Sequence, residues 1–315
     1  MILPDPIIRT EALTRDFDET RAVDALDLSI TQGELFGLVG PDGAGKTTIL
    51  RLLAGLLDIT SGSAHVAGYD LTRRVEPIKP LIGYMAQRFS LYSELTVLEN
   101  LRFFSELYDV DPSEQESRTE RLLDFAGLTA FKSRRAAHLS GGMKKKLALA
   151  CTLMHQPPIL LLDEPTTGVD PVSRREFWEI LTQLYTEGTT ILVSTPYMDE
   201  ADRCSRVGLL YEGRLMRCDQ PQAIRDEIEG DLIELQAADW QAVHAEAASF
   251  PGVREVQTYG ESIHLLVDSA ETRLPQIRGR IEDAGIEYQS MRQATPRMEE
   301  AFISLIRQMD REREG

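Results

Sequence analysis

Short apolar runs alternate with amphipathic stretches from about Ile7 to Leu215. This predicts strands and helices in alternation, and a mostly parallel sheet covered on both faces. The runs that read as buried strands are Leu35 to Val39, Ile159 to Leu162, Thr190 to Ser194 and Val207 to Tyr211. From about Phe89 to Leu139, apolar positions recur at helical spacing among many charges, as in Val97-Leu98-Glu99-Asn100-Leu101-Arg102-Phe103-Phe104. That region reads as a small helical subdomain inserted into the α/β body. After Tyr211-Glu212-Gly213-Arg214-Leu215 the pattern changes. Gln220-Pro221 opens a short helix ending at Gly230, and from Asp231 strand-like runs (Leu232 to Gln236, Ile263 to Val267) alternate with helices (Trp240 to Ser249, Thr272 to Ala284). The expected division is residues 1–229 as the main α/β domain and 230–315 as a small α+β domain, a size within the usual range.

Composition narrows the function. A chain of 315 residues with 42% hydrophobic residues can fill two cores. Its formal charge of −17 argues against nucleic acid as the main partner, because polyanion binding needs a basic surface that displaces counterions. The three cysteines, Cys151, Cys204 and Cys218, fit no metal or disulfide spacing, which suits a reducing cytosol. Met1-Ile2-Leu3-Pro4-Asp5 lacks the basic and apolar segments of a secretory signal. No stretch approaches the roughly 18–20 apolar residues that span a bilayer, so in a membrane process another subunit would supply the membrane part.

Three motifs carry chemistry. Gly40-Pro41-Asp42-Gly43-Ala44-Gly45-Lys46-Thr47 lies between a strand and the helical run Thr48-Ile49-Leu50-Arg51-Leu52-Leu53. Glycines in such a loop let backbone N–H groups converge on an anion, and the helix adds the positive end of its dipole. Lys46 can reach terminal phosphates, and Thr47 can offer a hydroxyl to Mg²⁺. The second motif, Ile159-Leu160-Leu161-Leu162-Asp163-Glu164-Pro165, delivers two acids to the carboxyl edge of the sheet, where ligands of open α/β folds bind. There Asp163 would hold the Mg²⁺ shell and Glu164 would take a proton from attacking water. The third, Leu139-Ser140-Gly141-Gly142-Met143 before Lys144-Lys145-Lys146-Leu147-Ala148-Leu149-Ala150, combines an N-cap serine with exposed backbone N–H groups. It reads as a second anion site or as a plain helix cap.

The order of phosphate loop, Gln87 after a strand, Leu-Ser-Gly-Gly-Met, acid-ended strand and Gly168-Val169-Asp170 strongly resembles the ATP-binding subunits of ABC transporters. The resemblance covers nearly the whole chain and implies a P-loop NTPase fold, ATP and Mg²⁺ as ligands, and multi-span membrane subunits as partners. It also implies a place at the cytoplasmic face of the cell membrane. By that resemblance Gln87 couples the Mg²⁺ site to the membrane subunit, and Asp170 lies in the loop crossing between two ATPase units. Two such units pair head to tail, so Ser140, Gly141 and Gly142 of one close over the phosphates of the other. Phe17 falls where the family stacks an aromatic on adenine, a position that a core aromatic could equally fill. Leu91-Tyr92-Ser93-Glu94-Leu95-Thr96-Val97-Leu98-Glu99-Asn100 and Thr295-Pro296-Arg297-Met298-Glu299-Glu300-Ala301-Phe302 look like the daunorubicin-resistance branch of drug exporters. The chain also resembles the amino-terminal half of a tandem multidrug-exporter ATPase.

The chain departs from the family at one catalytic position. After the strand ending at Ser194 the family places a histidine that contacts the γ-phosphate, and here the sequence is Thr195-Pro196-Tyr197. Proline offers no side-chain donor or acceptor and no N–H. The five histidines, His65, His138, His155, His244 and His264, are all remote in sequence. Asp42 in place of asparagine and Met143 in place of glutamine are milder changes. The pattern suggests an unequal pair, with a slow site of its own and a half-site lent to a second ATPase, although the intact Glu164 argues the other way. A nucleotide-gated regulatory subunit and a soluble ABC-type ATPase are the rival readings. A GTPase is disfavoured because Asn100, the only asparagine, is followed by Leu101. Trp240, Tyr259 and Tyr288 read as core or interface residues.

Overall fold

The structure, a computed structural model, describes residues 6–88, 91–259 and 262–314. By contact the chain divides into two compact units, with the boundary between Pro221 and Gln222.

The first unit begins with a hairpin, β1 (Ile8–Phe17) and β2 (Thr20–Ile30). Its register shifts between Thr10 and Leu13, and Ala12 and Ala25 take positive φ. Bulges of this kind break the two-residue alternation, so the hairpin carries no clean strand signature. Next come β3 (Leu35–Val39), α1 (Lys46–Leu53), β4 (Ser61–Val66), β5 (Tyr69–Asp70) and β6 (Ile82–Met85). Strands β4 and β5 extend the hairpin into an antiparallel sheet of order β2-β1-β4-β5. The helical insertion holds α2 (Val97–Leu107) and α3 (Pro112–Phe125) and leads into α4 (Gly141–Thr152). Phe89, where the insertion was expected to start, lies outside the described residues. The insertion's two ends are stitched by Val97 N–H to Arg134 O (2.9 Å) and Ala136 N–H to Leu95 O (2.8 Å).

The chain then forms β7 (Ile159–Asp163), α5 (Pro171–Thr186), β8 (Thr190–Thr195), β9 (Arg206–Tyr211) and β10 (Arg214–Asp219). The main sheet runs β10-β9-β3-β8-β7-β6, parallel throughout except for the antiparallel edge strand β10. One face is covered as expected by helices, with α4 against β6 and α5 against β8. The other differs from the expectation. Helix α1 is sandwiched there between the main sheet and the antiparallel sheet, in one core that joins Ile49, Leu50, Leu52 and Leu53 to Phe36, Leu38 and Leu161 and to Leu26, Ile30 and Val66.

After α6 (Pro221–Asp226) the second unit reads β11 (Asp231–Gln236), α7 (Trp240–Ala248), β12 (Val253–Tyr259), β13 (Ser262–Val267), α8 (Ala270–Asp283), β14 (Ser290–Ala294) and α9 (Met298–Glu314). The order β12-β13-β11-β14, antiparallel throughout, is the ferredoxin-like split βαβ arrangement. Ile233, Leu235, Ile263 and Leu265 pack with Val243 of α7 and Ile277 and Ile281 of α8. Trp240 and Tyr259 are exposed, which excludes the core alternative for them and leaves the interface one, whereas Tyr288 packs at the edge of this core.

Candidate active site

Strand β3 ends at Val39 and the chain loops through Gly40 to Gly45 into α1. Gly45 caps the helix at φ +98°, and a Cβ there would sit 2.5 Å from the Ala22 carbonyl oxygen, so only glycine fits. Gly40 N–H donates to Thr195 O at 3.3 Å and Gly213 N–H to Ala44 O at 3.2 Å, fixing both flanks of the loop. The first-turn N–H groups of any helix lack intrahelical partners. Here they border a cavity of about 310 Å³ lined by Ala22, Asp42 to Thr48, Gln87 and Glu164. Lys46 is 3% exposed. Its Nζ donates to Gly40 O (2.8 Å) and Pro41 O (2.9 Å) and lies 3.4 Å from Glu164 Oε1.

The acid pair arrives from the end of β7. Asp163 Oδ1 accepts from Thr47 Oγ1 and from Ser194 Oγ, both at 2.9 Å, while its buried Oδ2 has no hydrogen-bond partner among the described residues. An orphaned carboxylate oxygen beside a threonine hydroxyl fits Mg²⁺, which takes one or two carboxylates and completes its shell with phosphate oxygens and water. Among the described residues no three or more His, Cys, Asp or Glu gather into a metal cluster. Glu164 takes φ +47°, and its N–H donates to Ser194 Oγ at 3.0 Å. Its Oε2 accepts from Gln87 Nε2 at 2.7 Å and from Thr167 Oγ1 at 3.2 Å. The backbone is therefore held in an uncommon conformation that aims this carboxylate into the cavity.

Pairing of Val39 with Thr195 brings the end of β8 beside the start of the phosphate loop, with Pro196 next in the chain. None of the five histidines lines the cavity. Beyond Pro196 the loop is tied down by groups that the sequence did not single out. Glu200 is 1% exposed and accepts from Thr195 Oγ1 (2.5 Å), Thr166 Oγ1 (2.8 Å) and Arg174 Nε (2.6 Å). Arg174 also forks onto Asp199 and stacks over Tyr197. Met198-Asp199-Glu200 reads as an exposed acidic turn, so only the fold reveals this buried acid.

Ser140 caps α4, its Oγ accepting from Met143 N–H at 3.3 Å. Gly142 packs so closely on α5 that a Cβ would run into the Ser173 side chain. Asp170 caps α5 by accepting from Val172 N–H (3.1 Å) and Ser173 N–H (3.0 Å), bonds that hold its carboxyl below the ordinary range. Ser140, Gly141, Gly142 and Asp170 are thus gathered with one another, while the cavity around Lys46 is lined by other residues. Phe17, 39% exposed, carries the Arg15 guanidinium 4.5 Å from its ring centroid, so the alternative of a core aromatic is corrected. Lys145 on α4 is buried, and burial pushes its ammonium below the ordinary value, an effect that Asp163 and Glu164 oppose.

Comparison with known proteins agrees with this geometry. Residues 23–167 match the sequence family described as ABC transporter. The chain is 41% identical over 306 residues to the probable multidrug ABC transporter ATP-binding protein YbhF of Escherichia coli K12, covering 96% of this chain and 52% of that protein, about half its length. It is 34% identical to the daunorubicin resistance ATP-binding protein DrrA2 of Streptomyces coeruleorubidus, over 95% of this chain and 94% of that one. Among solved structures, a dimeric post-hydrolysis state of the ATP-binding cassette MJ0796 bound to ADP and Pi superposes with a TM-score of 0.62 at 26% identity, covering 68% of this chain and 98% of that one.

Proposed function

We propose, from the premise that this chain belongs to the ABC transporter family of ATP-binding proteins, that it is the ATP-binding and ATP-hydrolysing subunit of an exporter for drugs or other amphipathic solutes. The observation that carries the reading is the meeting of Lys46, Gln87 and the Asp163–Glu164 pair at one cavity on the carboxyl edge of the sheet. Gly40, Pro41, Asp42, Gly43, Ala44, Gly45, Lys46, Thr47 and Thr48 cradle the phosphates, with Phe17 as the platform for adenine. Thr47, Asp163 and Gln87 would hold Mg²⁺, which would neutralise charge on the phosphate oxygens. Glu164 orients the attacking water and accepts its proton. Ser140, Gly141, Gly142 and Asp170 serve a second ATP-binding subunit paired head to tail. Among the described residues no helix is long and apolar enough to cross a membrane; attachment to the membrane's inner face would be through multi-span subunits, a reading supported by relatives named as ABC transporter and resistance ATP-binding proteins.

Pro196 leaves the γ-phosphate without the donor that the family places there, which supports slow turnover at this chain's own site. The same residue favours a second reading, a nucleotide-gated subunit with negligible hydrolysis. Equilibrium binding of Mg-ATP to the purified chain, with hydrolysis measured for it and for Pro196→His, tests both. Binding, slow turnover and a gain of about tenfold or more in the variant are the expected results. Absence of Mg-ATP binding removes the reading, and fast turnover by the unmodified chain removes the impaired site.

A further inference from the structure

Lys145 is the one buried lysine outside the phosphate loop among the described residues, 3% exposed on the second turn of α4. Its Nζ donates to the Gln87 carbonyl oxygen at 3.1 Å and to the Glu164 carbonyl oxygen at 3.2 Å. Those are the two residues whose side chains bond each other across the cavity. Burying a lysine costs free energy unless its ammonium is well paired, and two of the partners here are backbone carbonyls from separate segments. The same helix begins at the Ser140 cap and is pinned to α5 through Gly142 and Ser173. One rigid helix therefore touches three things: the half-site read as facing a partner, the helix capped by Asp170, and the backbone beneath Gln87 and Glu164. We infer that Lys145 is a positioning residue that holds Gln87 and Glu164 in register with α4, so that engagement of Ser140-Gly141-Gly142 by a second nucleotide is transmitted to this chain's own carboxylate. The inference rests on the functional reading above and deepens it.

Lys145→Met keeps the aliphatic stem and removes all three donors, whereas Lys145→Arg keeps donors that can fork onto two carbonyls. Hydrogen exchange on the full chain without nucleotide is the primary readout. In Lys145→Met, peptides covering 82–88 and 159–167 are expected to exchange about fivefold faster or more, with those from β9 and the second unit unchanged, while Lys145→Arg stays close to the parent. In the assembled transporter, Lys145→Met lowers the single-turnover rate of hydrolysis at this chain's own site about tenfold at unchanged Mg-ATP affinity. Unchanged exchange in both segments, equal loss of protection throughout the first unit in both variants, or weakened Mg-ATP binding at an unchanged single-turnover rate would overturn the inference. Because exchange needs no nucleotide, failure to bind Mg-ATP would sink the functional reading separately.

Discussion

For the proposed role on water a carboxylate needs a fixed direction, and Glu164 has one from a positive φ and from donors on three segments, Lys46, Gln87 and Thr167. Glu164→Gln should leave Mg-ATP affinity within about threefold and lower turnover by about 10²-fold or more, since the amide can still be hydrogen-bonded but takes no proton. Equal loss of binding and turnover would mean that the residue holds ligand and does no proton chemistry. Gly45 works by the opposite means, an absence of side chain. Alanine there would meet the Ala22 carbonyl oxygen and sit at φ +98°. Gly45→Ala is expected to cost about 1–3 kcal/mol in a denaturant titration and to weaken Mg-ATP binding about tenfold or more. The loop residues were legible because glycine spacing is dictated by backbone geometry. Lys145, Arg174 and Glu200 were not, because nothing in a charged residue's neighbours reveals that the fold will bury it. The one trace is phase: Gly142, Lys145, Ala148 and Thr152 fall on one buried stripe of α4.

At the scale of elements, strands β3, β7, β8 and β9 announced themselves as continuous apolar runs because both faces are covered, whereas β1 and β2 were hidden by bulges and β14 by its polar sequence Ser-Met-Arg-Gln-Ala. Helix α2 hides a further device. The buried Asn100 side chain accepts from Tyr92 N–H (2.9 Å) and donates to the carbonyl oxygens of Tyr92 (3.1 Å) and Thr96 (2.9 Å). It thereby splints the turn from Tyr92 to Thr96 that leads into α2. Asn100→Ala would orphan the Tyr92 N–H and strip a second donor from the carbonyls of Tyr92 and Thr96, which keep the Leu95 and Asn100 N–H groups, and it is expected to destabilise by about 1–3 kcal/mol, read as a lower denaturant midpoint at unchanged m. In the second unit, burial pushes the Glu300 carboxyl up, but the His264 ring and the Arg297 N–H outweigh it and leave the carboxyl below its ordinary 4.5. Glu234 and Tyr259 also face His264. A carboxyl held low stabilises the fold fully above its unfolded value, and the contribution is lost as pH falls through the lower folded value. The parent should therefore melt higher than Glu300→Gln near neutral pH, and the difference should shrink steadily below pH 4.5. A difference independent of pH would show that packing alone is responsible.

The whole molecule joins two cores built on different principles: a parallel sheet that places ligand chemistry at its carboxyl edge, and an antiparallel sheet with helices α7 and α8 on one face. The sequence showed this change of pattern after Leu215 because the long buried runs stop and short amphipathic elements begin. The helix α9 and the strand β12 escaped notice, since α9 is strongly charged and β12 is half-exposed along its length. Each core is drawn from residues of its own unit. A stretch of this length with a four-stranded antiparallel sheet and a filled apolar layer on it meets the size and core expected of an independently folding domain. Residues 222–315 expressed alone are thus expected to give a single cooperative thermal transition with an α+β circular dichroism spectrum, and residues 1–221 to retain Mg-ATP binding within about threefold of the full chain. A disordered 222–315 fragment would mean that its fold depends on the rest of the chain. Loss of binding by 1–221 would count against the proposal that every phosphate-facing residue comes from the first unit.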